Sequence, residues 1–296
     1  MPAVWDPLFR HRFYARWGRE SAVISARTRR VEYPDFEQLL SIKAAVGGTE
    51  HYFVDGRHLA VDDDTFLILN AGRRYASRID EVKPVHTFSI FFEPRLAEEV
   101  LRTLTLPAGT LLDSPPDEAG SPVEFDEQLR EHDRLVTPAL ASIRQSLDAG
   151  MGDDLWLEEQ LRLLLGRMLW AERGHREAAD LIPSNRPATR RELHRRLRVA
   201  GSYIHTYFRE PIGLKDMAAA AHLSPFHFLR LFKAVYGVTP SVYLNRKRTS
   251  AAQRLIGQSS MTMVDIADYV GFGSRTSLFR HLKAQHGAAP RELRGK

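Results

Sequence analysis

The chain carries the sequence DMAAAAHLSPFHFLRLFKAVYGVTP at residues 216–240 and a second version of it, DIADYVGFGSRTSLFRHLKAQHGAAP, at residues 265–290. The first parts of the two copies align at an offset of 49 residues and, after one inserted residue, the remainder aligns at an offset of 50. Stacked repeat architectures need at least about three copies. The pattern therefore indicates a single duplicated module.

Each copy has the order of elements found in a helix-turn-helix. The turn falls at His222 in the first copy and at Gly271 in the second, and glycine suits the left-handed backbone of such a turn. A serine follows each turn, Ser224 or Ser274, where its hydroxyl is expected to cap the second helix. The second helices are predicted to bury their apolar residues, which are Phe228, Leu231, Phe232, Leu278 and Leu282.

A helix is predicted between the two modules, over Pro240–Ile256, with Thr239 as its cap and Gly257 at its end. At about 1.5 Å per residue it would be about 26 Å long, which suits two recognition helices near the ~34 Å separation of successive major grooves. Its cluster of basic residues, 246–248, is expected to contact phosphates. The alternative is that this cluster is simply part of an exposed helix face.

Charge is distributed unevenly along the chain. Residues 186–296 hold 20 Lys and Arg against 6 Asp and Glu, whereas residues 1–185 hold 22 against 31. This asymmetry indicates a polyanion-binding part joined to a more acidic part, and a solvated basic surface is the simpler alternative.

The composition excludes several classes of protein. The sequence has no Cys, which rules out disulfide frameworks, Cys-ligated zinc and thiol nucleophiles, including those of alkyl-transfer DNA repair proteins. No apolar run approaches the roughly 18–20 residues that span a bilayer, and the N-terminus lacks an apolar signal segment. We therefore expect a cytoplasmic protein with no membrane partner.

The N-terminal part changes character at Pro122. Before it, short β-branched and aromatic runs predict an antiparallel barrel or sandwich, with Asp55-Gly56 as a hairpin turn. The predicted strands are Ala22–Tyr33, Leu39–Val46, His51–Val54, His58–Val61, Thr65–Asn70 and Val85–Phe92.

Helices are predicted after Pro122. One runs from Phe125 to Leu147 and ends at Gly150, and a second opens at Asp153 and Asp154. The second helix carries an apolar stripe at helical spacing, which is either a dimer seam or part of the core: Leu157, Leu161, Leu164 and Met168.

Residues from about 200 to 294 resemble the DNA-binding region of the AraC/XylS family of bacterial transcription regulators. The residues that carry the resemblance are Leu214–Ala221, Leu223-Ser224-Pro225, Phe228-x-Arg230-x-Phe232-Lys233, Gly237-x-x-Pro240, Tyr243, Arg246, Ile266-Ala267, Gly271-Phe272, Ser277–Arg280 and Gly287-x-x-Pro290. The resemblance implies two helix-turn-helix modules on double-stranded promoter DNA, each with one helix in the major groove. It also makes a homodimer and contact with RNA polymerase plausible.

The resemblance carries DNA contacts over by position. The expected base contacts are Phe226, Leu229, Arg230, Arg275, Thr276, Ser277, Phe279 and Arg280. The expected phosphate contacts are Ser224, Lys233, Arg246, Lys247, Ser274 and Lys283. Arg230 and Arg280 suit bidentate contacts to guanine, with a phosphate grip as the alternative. Leu229 departs from the polar residue usual in relatives and suits a thymine methyl group instead.

The N-terminal part resembles, more weakly, the cupin-type regulatory domain of these regulators. Metal-binding cupins use paired histidines and a final histidine, where this chain has Tyr75 and no His-x-His. We therefore expect no metal and no cofactor, but an unknown small-molecule effector. Its candidate contacts are His51, Tyr75 and His86, each of which is also explained as an ordinary surface or core side chain.

The expected fold class is α+β multidomain. Residues 1–121 form an antiparallel, cupin-like β-barrel, 122–176 a helical pair with a role in dimerisation left open, 177–189 a linker, and 190–296 an all-α DNA-binding domain with two modules. The predicted function is a sequence-specific, effector-responsive transcription regulator without catalytic residues. The alternatives are a metal-dependent cupin oxygenase with a basic tail, and an RNA-binding or scaffold protein, which leaves the duplicated turn unexplained.

Overall fold

The structure is a computed structural model that describes residues 18–107 and 122–286. The chain divides into two compact units between Arg176 and Glu177. The predicted Gly287-x-x-Pro290 motif lies outside the described residues. No helix in the described part of the chain is both long and apolar enough to cross a membrane.

The N-terminal unit contains a curled, antiparallel sheet that forms a half-barrel, which confirms the predicted fold class. Its strands are β1 (Ala22–Glu37), β2 (Ser41–Val46), β3 (Glu50–Val54), β4 (Arg57–Val61), β5 (Thr65–Leu69), β6 (Arg74–Phe91) and β7 (Arg130–Glu131). Their order is β4-β3-β6-β2-β5-β7, and β1 also pairs with β6. Strand β6 thus organises the sheet, since its first half pairs with β3 and its second half with β2.

Strand β6 begins eleven residues earlier than predicted, at Arg74 instead of Val85. Charged residues and a proline interrupt the apolar pattern by which this part of the strand would be recognised in the sequence. The alternation is nevertheless that of a strand with one buried face, because Tyr75, Ser77 and Ile79 are buried whereas Arg78 is exposed.

The sheet has two faces, each with its own buried cluster. The inner face, on the concave side of the curl, carries Tyr52, Val54, Leu67, Leu69 and Tyr75. The outer face packs against helices α1 (Leu96–Thr105), α2 (Val136–Asp148) and α3 (Asp154–Glu177), and its strand residues include Ile42, Phe66, Ile68, Phe88 and Ile90.

One prediction was wrong, and one helix was missed. Helix α1 was not predicted, and the segment from Phe125 to Leu135 is not helical. The Asn70 side chain holds the Phe125 backbone in an extended conformation: its amide nitrogen donates to the carbonyl at 2.9 Å, and its oxygen accepts from the N–H at 2.8 Å. Helix α2 starts only at Val136, whose N–H donates to the Asp133 carboxylate at 2.6 Å.

The apolar stripe of α3 belongs to the core. Leu161, Leu164 and Met168 are buried in the outer-face cluster, and Leu157 packs partly against it. Of the two predicted roles for this stripe, the structure therefore supports core packing rather than a dimer seam. Asp153 caps the helix as expected, since its carboxylate accepts from the Trp156 N–H at 2.8 Å.

The C-terminal unit is helical and has a single core. A short 3-10 helix, Ala178–Leu181, is followed by α4 (Pro187–Tyr207), α5 (Leu214–Ala220), α6 (Pro225–Tyr236), α7 (Pro240–Gln258), α8 (Met263–Tyr269) and α9 (Arg275–His286). The linking helix α7 runs through Gly257, which was predicted to end it, because its C-cap is Ser259. The Thr239 hydroxyl caps its start as predicted, accepting from the Val242 N–H at 3.4 Å.

Candidate nucleic-acid interface

The turns of the two modules have the same hydrogen bonds. In the first, the His222 N–H donates to the Ala219 carbonyl at 2.9 Å and the Leu223 N–H to Ala218 at 3.0 Å. In the second, the Gly271 N–H donates to Asp268 at 3.1 Å and the Phe272 N–H to Ala267 at 2.8 Å. Both turns use a left-handed residue, with φ 51° at His222 and 84° at Gly271. The duplication read from the sequence is thus a duplication of backbone geometry.

The helices after the two turns start differently. Ser274 caps α9 as predicted, because its hydroxyl accepts from the Ser277 N–H at 3.2 Å. Ser224 occupies the N-cap position of α6, but within the described residues its hydroxyl makes no cap hydrogen bond. Pro225 compensates at the first position of α6, since its fixed φ suits a helix and it has no N–H to satisfy.

Helix α6 separates a buried face from an exposed one. Phe228, Leu231 and Phe232 are buried in the core of the unit, as predicted. Of the expected base contacts in this helix, Phe226 is 79% exposed, Arg230 is exposed and Leu229 is half-buried. The expected phosphate contact Lys233 is also exposed.

Helix α9 presents a second basic face. Leu278 and Leu282 are buried on the opposite side. Its expected contacts comprise the exposed residues Arg275, Thr276, Arg280 and Lys283 and the half-buried residues Ser277 and Phe279. The Arg275 guanidinium lies 5.2 Å from the centre of the Phe279 ring, which limits the rotamers of that arginine.

The structure corrects one predicted phosphate contact in α7. Arg246 is exposed, but Lys247 is only 5% exposed and its ammonium lies 5.1 Å from the centre of the Phe208 ring. Lys247 is therefore not presented to a phosphate. Three consecutive helical residues point in directions about 100° apart, so they do not share one face.

Arg248 forms hydrogen bonds within the C-terminal unit. Its Nε donates to the Phe208 carbonyl and its Nη2 to the Glu210 carbonyl, each at 2.7 Å. Both carbonyls lie at the C-terminal end of α4, and burial lowers the pKa of the Arg248 guanidinium. The same guanidinium comes within 3.0 Å of the position that a Cβ on Gly271 would take. Arg248 thus ties α7 to the end of α4 beside the second turn.

The three predicted effector contacts lie on different faces of the sheet, so they do not form one site. Tyr75 is buried on the inner face. The His51 Nδ1 lies 2.9 Å from the His58 Nε2, and His51 alternates with the inner-face residue Tyr52. The His86 Nε2 lies 2.8 Å from the Ser25 hydroxyl and is in phase with Phe88 of the outer face.

The inner face also carries buried polar residues that were not predicted from the sequence. Lys43 of β2 is 2% exposed and lies in phase with Ser41 and Ala45. Glu50 is equally buried, and it accepts hydrogen bonds from the hydroxyls of Tyr52 and Ser77. The sequence feature that could have revealed this group is a lysine in the middle of a mostly apolar strand. Among the described residues, no three His, Asp or Glu side chains are grouped to hold a metal ion.

Comparisons with known proteins match the C-terminal unit. Residues 217–296 match a family model described as "Helix-turn-helix domain". The probable transcriptional regulator LumQ of Photobacterium leiognathi is 29% identical over 89 residues, which are 30% of this chain and 36% of LumQ. The uncharacterized HTH-type transcriptional regulator YisR of Bacillus subtilis is 33% identical over 95 residues, 32% of this chain and 33% of YisR.

A solved structure, an AraC-type transcriptional regulator from Chromobacterium violaceum, is 30% identical and has a TM-score of 0.32, covering 34% of this chain and 89% of that one. The matched segment thus spans about a third of the length of the curated relatives. The predicted resemblance of the C-terminal part to the AraC/XylS regulators is confirmed.

Proposed function

We propose that this protein is a sequence-specific DNA-binding transcription regulator whose N-terminal unit binds a small organic effector. The observation that carries the proposal is the pair of identically hydrogen-bonded turns, each followed by a helix with an exposed arginine, Arg230 or Arg280. Such a helix fits the major groove of B-form DNA, where each base pair presents a distinct set of donors and acceptors.

The proposed base contacts are the ones expected from the sequence. Arg230 and Arg280 read guanine, Phe226 and Leu229 contact apolar base edges, and Arg275 and Thr276 extend the readout of the second helix, with Ser277 and Phe279 beside them. Lys233, Lys283, Arg246 and the N-terminal serines of both helices contact phosphates, which set register and affinity without reading sequence. Lys247 is omitted because it is buried.

DNA footprinting on genomic fragments that co-purify with the protein tests this function. Two protected major-groove patches, about one helical turn (~34 Å) apart, are expected on one face of the DNA. Protection of a single patch would mean that only one module binds. Equal affinity for all sequences would mean that the protein is not a sequence-specific regulator.

The effector acts through linkage between its own binding and DNA binding. An effector changes DNA affinity only by the difference in its affinity for the two states of the protein, typically about 1–3 kcal/mol. We propose that the protein acts in the cytoplasm and contacts RNA polymerase. We propose no catalytic role for it.

We also propose that the protein forms a homodimer through the exposed face of α3. Leu155, Leu163 and Trp170 recur at a spacing of eight and seven residues, on the side opposite the buried stripe, and are 76%, 50% and 59% exposed. Leu104 of α1 extends this face, since it lies against Gly166. Exposed apolar patches of this kind mark interaction surfaces.

Sedimentation equilibrium tests the dimer. The wild-type chain is expected at twice its monomer mass of 33.7 kDa, and Leu163→Asp is expected to shift it to monomer. Glu159→Gln, on the same helix face but without an apolar side chain to lose, is the matched control. A wild-type monomer, or equal association of both variants, would contradict the proposal.

A further inference from the structure

The inner face of the N-terminal sheet surrounds a buried amine with aromatic rings. The Lys43 ammonium lies 3.5 Å from the centre of the Phe91 ring and 5.3 Å from that of Tyr75. The Tyr75 ring is in turn 5.8 Å from the Tyr52 ring. These side chains come from β2, β3 and both halves of β6, and the curl of the sheet brings them together.

A carboxyl group with two hydroxyl donors completes the cluster. Glu50 acts on Lys43 through its charge, and it accepts hydrogen bonds from the hydroxyls of Tyr52 and Ser77. The Ser89 hydroxyl, directly across from Lys43 on β6, donates to the Tyr52 hydroxyl. The acid and the hydroxyl groups therefore form a short hydrogen-bonded chain, and the charge of the acid acts on the amine.

Burial changes the protonation of both groups. It lowers the pKa of Lys43 to about 7, and the charge of Glu50 opposes this only in part. Burial also raises the pKa of Glu50. At neutral pH a substantial fraction of Lys43 is thus the free amine, which is the nucleophilic form of a lysine.

The charges of the cluster select among ligand classes. An anion beside Lys43 would also stand near the charge of Glu50, and a cation beside Glu50 would stand near that of Lys43. A neutral ligand adds no charge to the cluster, and aromatic rings such as those of Phe91, Tyr75 and Tyr52 favour contact with a flat, apolar ligand. A carbonyl oxygen on such a ligand would accept a hydrogen bond from the amine.

We propose that Lys43 binds a neutral aldehyde or ketone effector covalently and reversibly, as an imine on the inner face of the sheet. The proposal rests on the proposed function, in that it names the chemistry of the effector that the N-terminal unit binds.

The step balances without an external reagent. The free Lys43 amine adds to the carbonyl carbon, so that a C–N bond forms, the C=O π bond breaks and the oxygen becomes a hydroxyl. The hydroxyl then leaves as water as the C=N bond forms. The nitrogen loses two protons and the departing oxygen gains two. The products are one imine and one water.

Reductive trapping tests the inference on the full-length protein. Benzaldehyde is added at neutral pH with cyanoborohydride, which reduces an imine to a stable secondary amine, and the benzylated peptides are mapped by mass spectrometry. The chain has seven lysines, of which Lys83, in the same unit, is exposed and serves as the internal reference. Lys43 is expected to react at least about tenfold faster than Lys83, because burial among the aromatic rings favours the unprotonated, nucleophilic form of the Lys43 amine.

Variants separate chemistry from folding. Lys43→Arg keeps the charge but forms no imine, so the fast label is expected to disappear, whereas Lys83→Arg is expected to retain it. Mapping of the wild-type chain gives the result even where a variant does not fold. Labelling of Lys43 no faster than Lys83 would overturn the inference.

A DNA footprint of the same preparation distinguishes the two proposals. Protected DNA with no fast label on Lys43 would refute the imine and leave the regulator intact. A fast label on Lys43 with no sequence-specific DNA binding would refute the regulator and leave the lysine chemistry intact.

Discussion

Gly271 and His222 occupy the same position in the two turns, but their surroundings differ. A Cβ on Gly271 would lie 2.8 Å from the Arg209 carbonyl oxygen and 3.0 Å from the Arg248 guanidinium. The His222 side chain is exposed instead. The second module therefore needs glycine for space as well as for its φ of 84°, whereas the first tolerates a side chain.

Gly271→Ala is expected to lower the free energy of unfolding by more than the cost of a left-handed alanine, which is about 1–2 kcal/mol. The reason is the contact with backbone and guanidinium atoms. Gly237→Ala is the matched control, because Gly237 has φ 72° and nothing within 4 Å of its Cβ position. Urea unfolding followed by circular dichroism measures both, and equal losses would show that space behind the turn does not matter.

Arg280→Ala is expected to relax the preference at one base pair, at a cost of about 1–3 kcal/mol, because a bidentate contact to guanine is lost. Lys283→Ala, one turn further along the same helix, is the control for a phosphate contact. It is expected to weaken binding to all sequences and to reduce the salt slope by about 1. Fluorescence anisotropy with operator variants at several salt concentrations measures both effects. A uniform loss for Arg280→Ala would assign this arginine to phosphate.

At the scale of the element, helices α6 and α9 have the same length, 12 residues, but start differently. Helix α9 relies on the Ser274 hydroxyl, which accepts from the Ser277 N–H. Helix α6 relies on Pro225 at its first position, since the Ser224 hydroxyl makes no cap bond within the described residues. A serine before a helix is therefore not always its cap.

Ser274→Ala is expected to cost about 0.5–2 kcal/mol of stability, because a helix N–H loses its acceptor. Ser224→Ala is expected to be nearly neutral, since no such bond is lost in α6. The difference is measured by urea unfolding of the two variants under identical conditions. A larger loss for Ser224→Ala would contradict the assignment of the caps.

At the scale of the whole molecule, three partly buried histidines make the stability of the N-terminal unit depend on pH. Burial lowers the pKa of His58, His86 and His132, and Arg78 adds to the effect at His58. As pH falls through the ordinary value of about 6.5, the unfolded chain binds protons that the folded unit does not bind. These histidines are therefore expected to lower the stability of this unit as pH falls, whereas Glu50 and Glu93, whose pKa values burial raises, act in the opposite direction.

Thermal unfolding at pH values of about 7.5 and about 5.5, on either side of the ordinary histidine pKa, tests this expectation. The described tryptophans, Trp156 and Trp170, both lie in α3, so their fluorescence reports on the N-terminal unit. Replacement of the three histidines by glutamine is expected to remove most of the loss between the two pH values. An unchanged slope in the triple variant would assign the pH dependence to other groups.

Local sequence patterns were sufficient to locate the duplicated module. The signals were local ones, namely a turn residue, a serine or proline at a helix start, and apolar residues at helical spacing, and each acts within one or two turns of chain. They also indicated which faces of α6 and α9 are exposed, since the buried and exposed residues of an amphipathic helix follow from its period.

The long-range neighbours of a residue could not be read from these local patterns, because they depend on how the chain packs. Arg246 faces outward, whereas Lys247 packs on Phe208 and Arg248 bonds the end of α4, although all three belong to one basic run. Likewise, Lys43 meets Phe91, Tyr75 and the charge of Glu50 only because the sheet curls. Local propensity says nothing about such contacts, since they depend on how distant segments pack, and packing is governed by the free energy of the whole unit.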